Sequence, residues 1–218
     1  MASGEQEDVT SQTGMRNQGS GGRSPNPAYE LFVLGELMAA PQYGYKLHAI
    51  VNRILGPFHR LGWGTLYPLV RRLEQQGLIT SEIEKQQTDP NRGERGQQRR
   101  IYQITEVGRA RFFNLMLEPG EYSQDYADLF VIKLTKFNFL TPAQRLAVLQ
   151  QYREYLSILR DHYYTGQSRV TSHPGITEQE RPFILQTGDY RVYTLDAELT
   201  WVDSRIASLT KDKEINDK

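Results

Sequence analysis

Between Leu78 and Ile104 the chain carries two short segments of strand character around a polar loop, with helical periodicity on both sides. Leu78–Glu84 has Leu78, Ile79 and Ile83 as its apolar positions, and Arg99–Ile104 alternates Ile101 and Gln103 with Tyr102 and Ile104. Residues 85–98 (KQQTDPNRGERGQQ) contain a Pro and two Gly and nothing apolar, so they read as the long tip of a hairpin. An isolated two-stranded hairpin is marginal in water. This one therefore has to lie on helices, and the flanking sequence supplies them.

The first helix is expected over residues 28–39, where Leu31, Leu34, Leu37 and Met38 recur at three- and four-residue spacing beside Phe32 and Val33. Pro41 stops it. A second helix runs from Gln42 to Leu55, with Leu47, Val51 and Ile54 on its stripe and Gly56-Pro57 at its end. A third runs from Leu66 to Gln76, with Thr65 as its N-cap, Pro68 in the first turn and Gly77 at C′. Leu66, Leu69, Val70 and Leu73 form one face of it; Gly64, Pro68, Arg71 and Gln75 lie opposite, flanked by Tyr67 and Arg72. Thr105 caps a fourth helix through Leu117, which Glu118-Pro119-Gly120 breaks. The order helix, helix, helix, strand, loop, strand, helix is that of a winged helix-turn-helix.

Beyond Gly120 the pattern turns helical. Ser123 caps a helix ending near Phe137, and Thr141-Pro142-Ala143-Gln144 starts another that carries Leu149, Tyr152, Leu156, Leu159 and Tyr163 and stops at Gly166. Residues 167–176 read as a loop, and Thr177 with Glu180 forms a further capping box. In the last helix Leu185, Val192, Leu195, Leu199, Val202, Ile206 and Leu209 fit one heptad frame, broken at Gly188, and are assigned to a dimer interface. Tyr190, Tyr193, Ala197 and Trp201 form a second apolar stripe on the same helix. One stripe can be covered within the chain; the other calls for a second copy. The expected protein is mainly α with a small β-wing: an N-terminal winged helix-turn-helix at 28–118 and a C-terminal helical dimerisation domain at 119–210, between disordered tails at 1–27 and 211–218.

Chemistry is bounded by what the chain lacks. With no Cys among 218 residues, disulfides, thiolate-held metals and thiol nucleophiles are excluded. His48, His59, His162 and His173 show no metal-ligand spacing, and no Gly-rich phosphate loop or nucleophile elbow occurs, so an enzyme is not expected, nor a cofactor or a metal. No apolar run approaches the ~20 residues a bilayer needs and no signal-peptide stretch opens the chain, so the expected location is cytoplasmic, with no membrane partner. The formal net charge is zero, with 26 basic and 26 acidic residues, but residues 60–111 hold ten Lys or Arg against six acids. A basic block between acidic flanks suits an anion-binding surface.

The stretch Leu34-Gly35-Glu36-Leu37, then Tyr43-Gly44-Tyr45-Lys46-Leu47, Gly64-Thr65-Leu66-Tyr67-Pro68-Leu69, Arg72-Leu73-Glu74, Gly77-Leu78-Ile79, Arg100-Ile101-Tyr102-Gln103-Ile104-Thr105 and Gly108-Arg109 resembles the PadR family of bacterial transcriptional regulators over residues 28–117. The helical remainder is similar to the longer C-terminal dimerisation domain of one PadR subgroup, shared in outline with the AphA-type virulence activators. The resemblance implies a homodimer on a pseudo-palindromic operator, usually a repressor. It also implies a small aromatic effector, a phenolic acid in the best-known members and drugs or other stress in others.

A winged helix lays its third helix in the major groove. Arg71 and Arg72 suit phosphate or guanine, and Thr65 and Tyr67 are hydroxyl donors at phosphate reach, although Thr65 also reads as a cap and Tyr67 as a packing ring. Pro68 and Gln75 share the outward face. Tyr43, Tyr45 and Lys46 stand at the start of the second helix, where free N–H groups favour a phosphate. Arg92, Arg95, Arg99 and Arg100 belong to the wing and its base, suited to flanking backbone. Trp63 reads as a packing anchor, and no effector pocket is localised, although aromatics gather where the helical half joins at Phe112–Tyr122. The rival reading is a winged helix used as a protein-interaction module, which predicts an apolar surface in place of the Arg pair.

Overall fold

The computed structural model describes residues 27–54, 56, 61–84, 99–123 and 125–216. Of the expected tails, residues 1–26 lie outside the described residues, as does the wing tip at 85–98 with Arg92 and Arg95.

Helix α1 (Pro27–Ala39) is apolar on nearly every side, and Ala28, Leu31, Phe32, Val33 and Leu34 are fully buried. Such a helix belongs in a core. It packs against α2 (Gly44–Ile54), α3 (Trp63–Gln75), β3 (Arg99–Ile104), α4 (Glu106–Leu117) and α5 (Tyr126–Leu134). The sheet is antiparallel with order β1-β3-β2, where β1 is Gln42–Tyr43 and β2 is Ile79–Glu84. Tyr102 stands opposite Gln42 on one side and Ser81 on the other. The mostly helical fold with a small β-wing is the one expected, although the sheet has three strands and not two. Gln42 and Tyr43, however, are strand rather than the first turn of the second helix. Their partners, Tyr102 and Ile101, come from far along the chain, and local periodicity carries no trace of them.

Helix α3 starts at Trp63, earlier than expected. Gly62 takes the N-cap position in an extended conformation, and its carbonyl accepts from Thr65 N at 3.0 Å and Leu66 N at 3.1 Å. Thr65 is therefore inside the first turn and not the cap, and Pro68 lies in the helix body. Gly77 closes the helix as expected: at φ 69° its N–H reaches Glu74 O at 3.0 Å and Leu78 N reaches Leu73 O at 2.9 Å, a Schellman turn.

Thr105 caps α4 by accepting from Gly108 N at 3.0 Å, and its hydroxyl donates to Gly77 O at 2.7 Å. One side chain thus ties the end of α3 to the start of α4. Gly108 permits the approach, since a Cβ there would stand 2.0 Å from Leu78 O.

Helix α5 spans Tyr126–Leu134, shorter at both ends than the segment expected from Ser123 to Phe137; Ser123 contributes its carbonyl to Tyr126 N at 3.1 Å. A 3-10 turn at Phe137–Phe139 follows. Buried polar contacts draw the chain inward here. Lys136 Nζ donates to Glu36 Oε1 with its stem over Gly35, and Lys133 Nζ donates to Glu118 O at 3.0 Å. Burial pushes the Lys133 ammonium down to about 8. Glu30, also buried, accepts from Arg111 Nε at 2.7 Å.

Helix α6 (Pro142–Ser172) opens with the expected capping box, Gln144 N donating to Thr141 Oγ1 at 3.3 Å and Thr141 N to Gln144 Oε1 at 2.9 Å. It does not stop at Gly166, which lacks the positive φ of a helix-ending glycine. It ends where Arg181, heading α7 (Arg181–Asn216), donates to Val170 O and Thr171 O, each at 2.5 Å. The last helix continues beyond the expected boundary at 210, its backbone running to Asn216. The two helices pair in opposite directions through Tyr152 with Glu198, Arg153 with Asp203 and Arg160 with Asp196. One apolar cluster runs from Ala28 through Tyr126, Leu129 and Leu156 to Val202, so the winged part and the helical arm share a core.

Candidate nucleic-acid interface

Helix α3 buries Leu66, Leu69, Val70 and Leu73 and exposes Thr65, Tyr67, Pro68, Arg71 and Gln75, the division its spacing predicts. Pro68, inside the helix, has no N–H to give Gly64 O. Arg72 departs from the expected set. It is half-buried, and its Nε and Nη2 are covered without a hydrogen-bond partner. Arg71 is the guanidinium this face presents.

Trp63 and Tyr67 are one helical turn apart and stack with ring centroids 5.2 Å apart. Trp63 also lies flat against His48 of α2, at 4.0 Å and 9°. Tyr67 thus serves both roles its sequence position allows, with its ring in a stack joined to α2 and half of its surface exposed. Trp63 is a packing residue as expected, yet stays 40% exposed beside Thr65, so it borders the surface and is not buried beneath it.

Asn52, which belongs to no motif or apolar stripe in the sequence, sets the entry to α3. Its Oδ1 accepts from Leu61 N at 2.7 Å, and its Nδ2 donates to His48 O at 3.0 Å and Leu61 O at 3.3 Å. The one signal in the sequence is a poor helix former near the end of α2.

Around the start of α2, Tyr45 and Lys46 are exposed in the first turn and Tyr43 is half-buried in β1. Tyr43 and Tyr45 stack at 5.6 Å, Lys46 Nζ lies 5.7 Å from the Tyr43 ring, and the Arg99 guanidinium lies 5.9 Å from the Tyr45 ring. The wing base and the start of α2 are therefore one basic, aromatic patch. The Tyr43 hydroxyl is already given to Glu84, which pushes its pKa up, so Tyr43 supports the patch by its ring. Arg100 is exposed and pairs with Glu74 at 3.8 Å; Glu74 also accepts from Ser81 Oγ at 2.5 Å.

Of the seven heptad residues, Leu195 and Val202 are buried, Leu199, Ile206 and Leu209 pack on the same core, Leu185 lines a gap with residues of α6, and Val192 is half-buried. Those contacts are made within one copy. The stripe left uncovered is the second one, Tyr190, Tyr193, Ala197 and Trp201. At the junction, Tyr126, Phe130, Tyr152 and Tyr155 pack on one another, Phe130 and Tyr152 at 3.6 Å.

Residues 33–114 match the model of the transcriptional regulator PadR-like family. Over these residues the chain is similar to that family. The matched residues run from within α1 into α4 and include the whole sheet, and the family is one of transcriptional regulators. Among solved structures, the chain is similar to Bacillus subtilis PadR in complex with operator DNA, at 15% identity and TM-score 0.39 over 85% of this chain and 99% of that one. It is similar to the same regulator in complex with p-coumaric acid, at 14% identity and TM-score 0.34 over 84% and 99%. A Streptococcus mutans protein is similar at 20% identity and TM-score 0.35 over 82% and 98%. No curated protein matches the chain. Among the described residues no helix is long and apolar enough to cross a membrane, and no group of His, Asp and Glu is placed to hold a metal.

Proposed function

We propose that the protein is a sequence-specific DNA-binding repressor that occupies a palindromic operator as a homodimer and is released by a small aromatic effector of the phenolic-acid type. The observation that carries this reading is the exposed face of α3, where Thr65, Tyr67, Arg71 and Gln75 stand outward on a helix anchored by Leu66, Leu69, Val70 and Leu73. Such a helix end suits base edges in a major groove. The Tyr45, Lys46 and Arg99 patch beside it suits the phosphates, and Arg100 extends it along the wing. Arg92 and Arg95, in the wing tip, are assigned to flanking backbone by charge alone. Arg72 is assigned a supporting contact.

The dimer in this reading forms through Tyr190, Tyr193 and Trp201, since an apolar stripe of this length on a 36-residue helix is costly to leave in water. The winged part over 28–118 and the arm over 119–210 are assigned to DNA and to the second copy respectively. The test is a mobility shift of the full chain on its own upstream DNA at fixed salt, with and without p-coumaric acid. Specific binding that the acid releases supports the whole reading, and specific binding without release keeps the regulator and discards the phenolic effector. Failure to enrich any sequence from a genomic library overturns DNA recognition and favours a protein partner for the same face.

A further inference from the structure

The heptad frame of α7 lacks one member. The core position between Leu185 and Val192 falls on Gly188, and α6 contributes Gly166 to the same layer. Paired helices ordinarily fill such a layer with branched side chains. Here the layer is a half-open cavity of about 430 Å³ walled by Tyr163, Val170, Ile184 and Leu185, with His162, Gln167 and Thr187 as its polar groups. Gly188 makes room for the Gln167 side chain, whose Cγ would stand 3.1 Å from a Cβ, whereas a Cβ on Gly166 would meet nothing within 4 Å.

We propose that this gap binds a small neutral aromatic molecule, at a site separate from the α3 face. The volume is that of a small-molecule site. The Tyr163 ring and three aliphatic walls suit a flat apolar body; the Gln167 amide can donate or accept one orienting hydrogen bond, and the Thr187 hydroxyl, which donates to Phe183 O at 3.0 Å, can accept one. No Asp, Glu, Lys or Arg lines the gap, so a carboxylate or ammonium taken from water would find no permanent counter-charge beside His162. The site therefore selects against the ionised form of an aromatic acid. This inference goes beyond the DNA-binding reading and does not depend on it.

The experiment is a titration of the full chain with the neutral fluorophore N-phenyl-1-naphthylamine, alongside Gly166→Leu and Tyr193→Ala. The expected result is a saturable rise in emission at one probe per chain. Gly166→Leu, which fills the gap while far-UV helicity is kept, should weaken it by about tenfold or more, and Tyr193→Ala on the outer stripe should leave it within about twofold. No saturable binding, unchanged affinity in Gly166→Leu, or loss of binding in Tyr193→Ala overturns the proposal; the last result places the probe on the outer stripe. Should Gly166→Leu lose helicity, methyl NMR on the unaltered chain decides. Probe contacts to Val170, Ile184 and Leu185 methyls support the site, and contacts only elsewhere, or a gap filled by a second copy, refute it.

Discussion

Gly108→Ala adds one carbon to the chain and should be among its most damaging small substitutions. The new Cβ would stand 2.0 Å from Leu78 O and 2.8 Å from Ile104 Cγ1. A close C–H···O contact needs about 3.3 Å, so α4 and the start of β2 must part by roughly 1 Å. Overpacking of this kind costs about 1–3 kcal/mol. The displacement also loosens Thr105, which accepts from Gly108 N at 3.0 Å and donates to Gly77 O at 2.7 Å, a cap contributing about 1 kcal/mol. Against this, Ala is favoured over Gly inside a helix by about 1 kcal/mol. The net is a loss of about 2 kcal/mol, or a fall in Tm of roughly 4–8 °C for a chain of this size. Gly166→Ala is the matched control: the same carbon in another helix meets nothing within 4 Å, so only the helix gain remains and Tm should rise by a few degrees. Thermal unfolding of both variants by circular dichroism checks the pair. An unchanged or raised Tm in Gly108→Ala refutes the steric argument, and a fall in both refutes the assignment of Gly166 to open space.

Lys133→Met should stabilise the chain by about 1–3 kcal/mol at pH 7, because burial holds the ammonium near 8, below its usual 10.5, and it is charged in both folded and unfolded chains at neutral pH. Between pH 8 and 10.5 the unfolded chain binds more protons at this site, so the parent gains stability as pH rises and the advantage of Met shrinks. Urea unfolding at about pH 7 and about pH 9.5 checks this, and an advantage that grows with pH refutes it. Arg71→Ala should weaken operator binding by about tenfold or more and leave Tm unchanged, and Arg72→Ala should cost less in affinity; fluorescence anisotropy at fixed salt distinguishes them. Tyr193→Glu should give a folded chain of halved mass in sedimentation, whereas Val202→Glu, at a fully buried position, should unfold the arm. Equal behaviour of the two sinks the assignment of separate stripes.

Elements marked by their own residues are legible in the sequence. Gly77 ends α3 because a positive φ suits it, Thr105 and Thr141 cap because a hydroxyl next to free N–H groups can do little better, and α3 buries the four residues its spacing selects. These outcomes depend on neighbours within a few residues, so sequence alone determined them, and with them the winged order and the outward residues Thr65, Tyr67, Arg71 and Gln75. Tertiary structure decided whatever depends on a partner from far along the chain. It drew Gln42 and Tyr43 into the sheet against Ile101 and Tyr102, and it placed Asn52 on Leu61. It covered the Arg72 guanidinium, and it let α6 pass through Gly166 to a cap supplied by Arg181. It also settled which stripe of α7 is covered within the chain. Periodicity shows that two apolar faces exist; only the position of α6 shows that Leu195 and Val202 are buried in one copy while Tyr190 and Tyr193 stay in water.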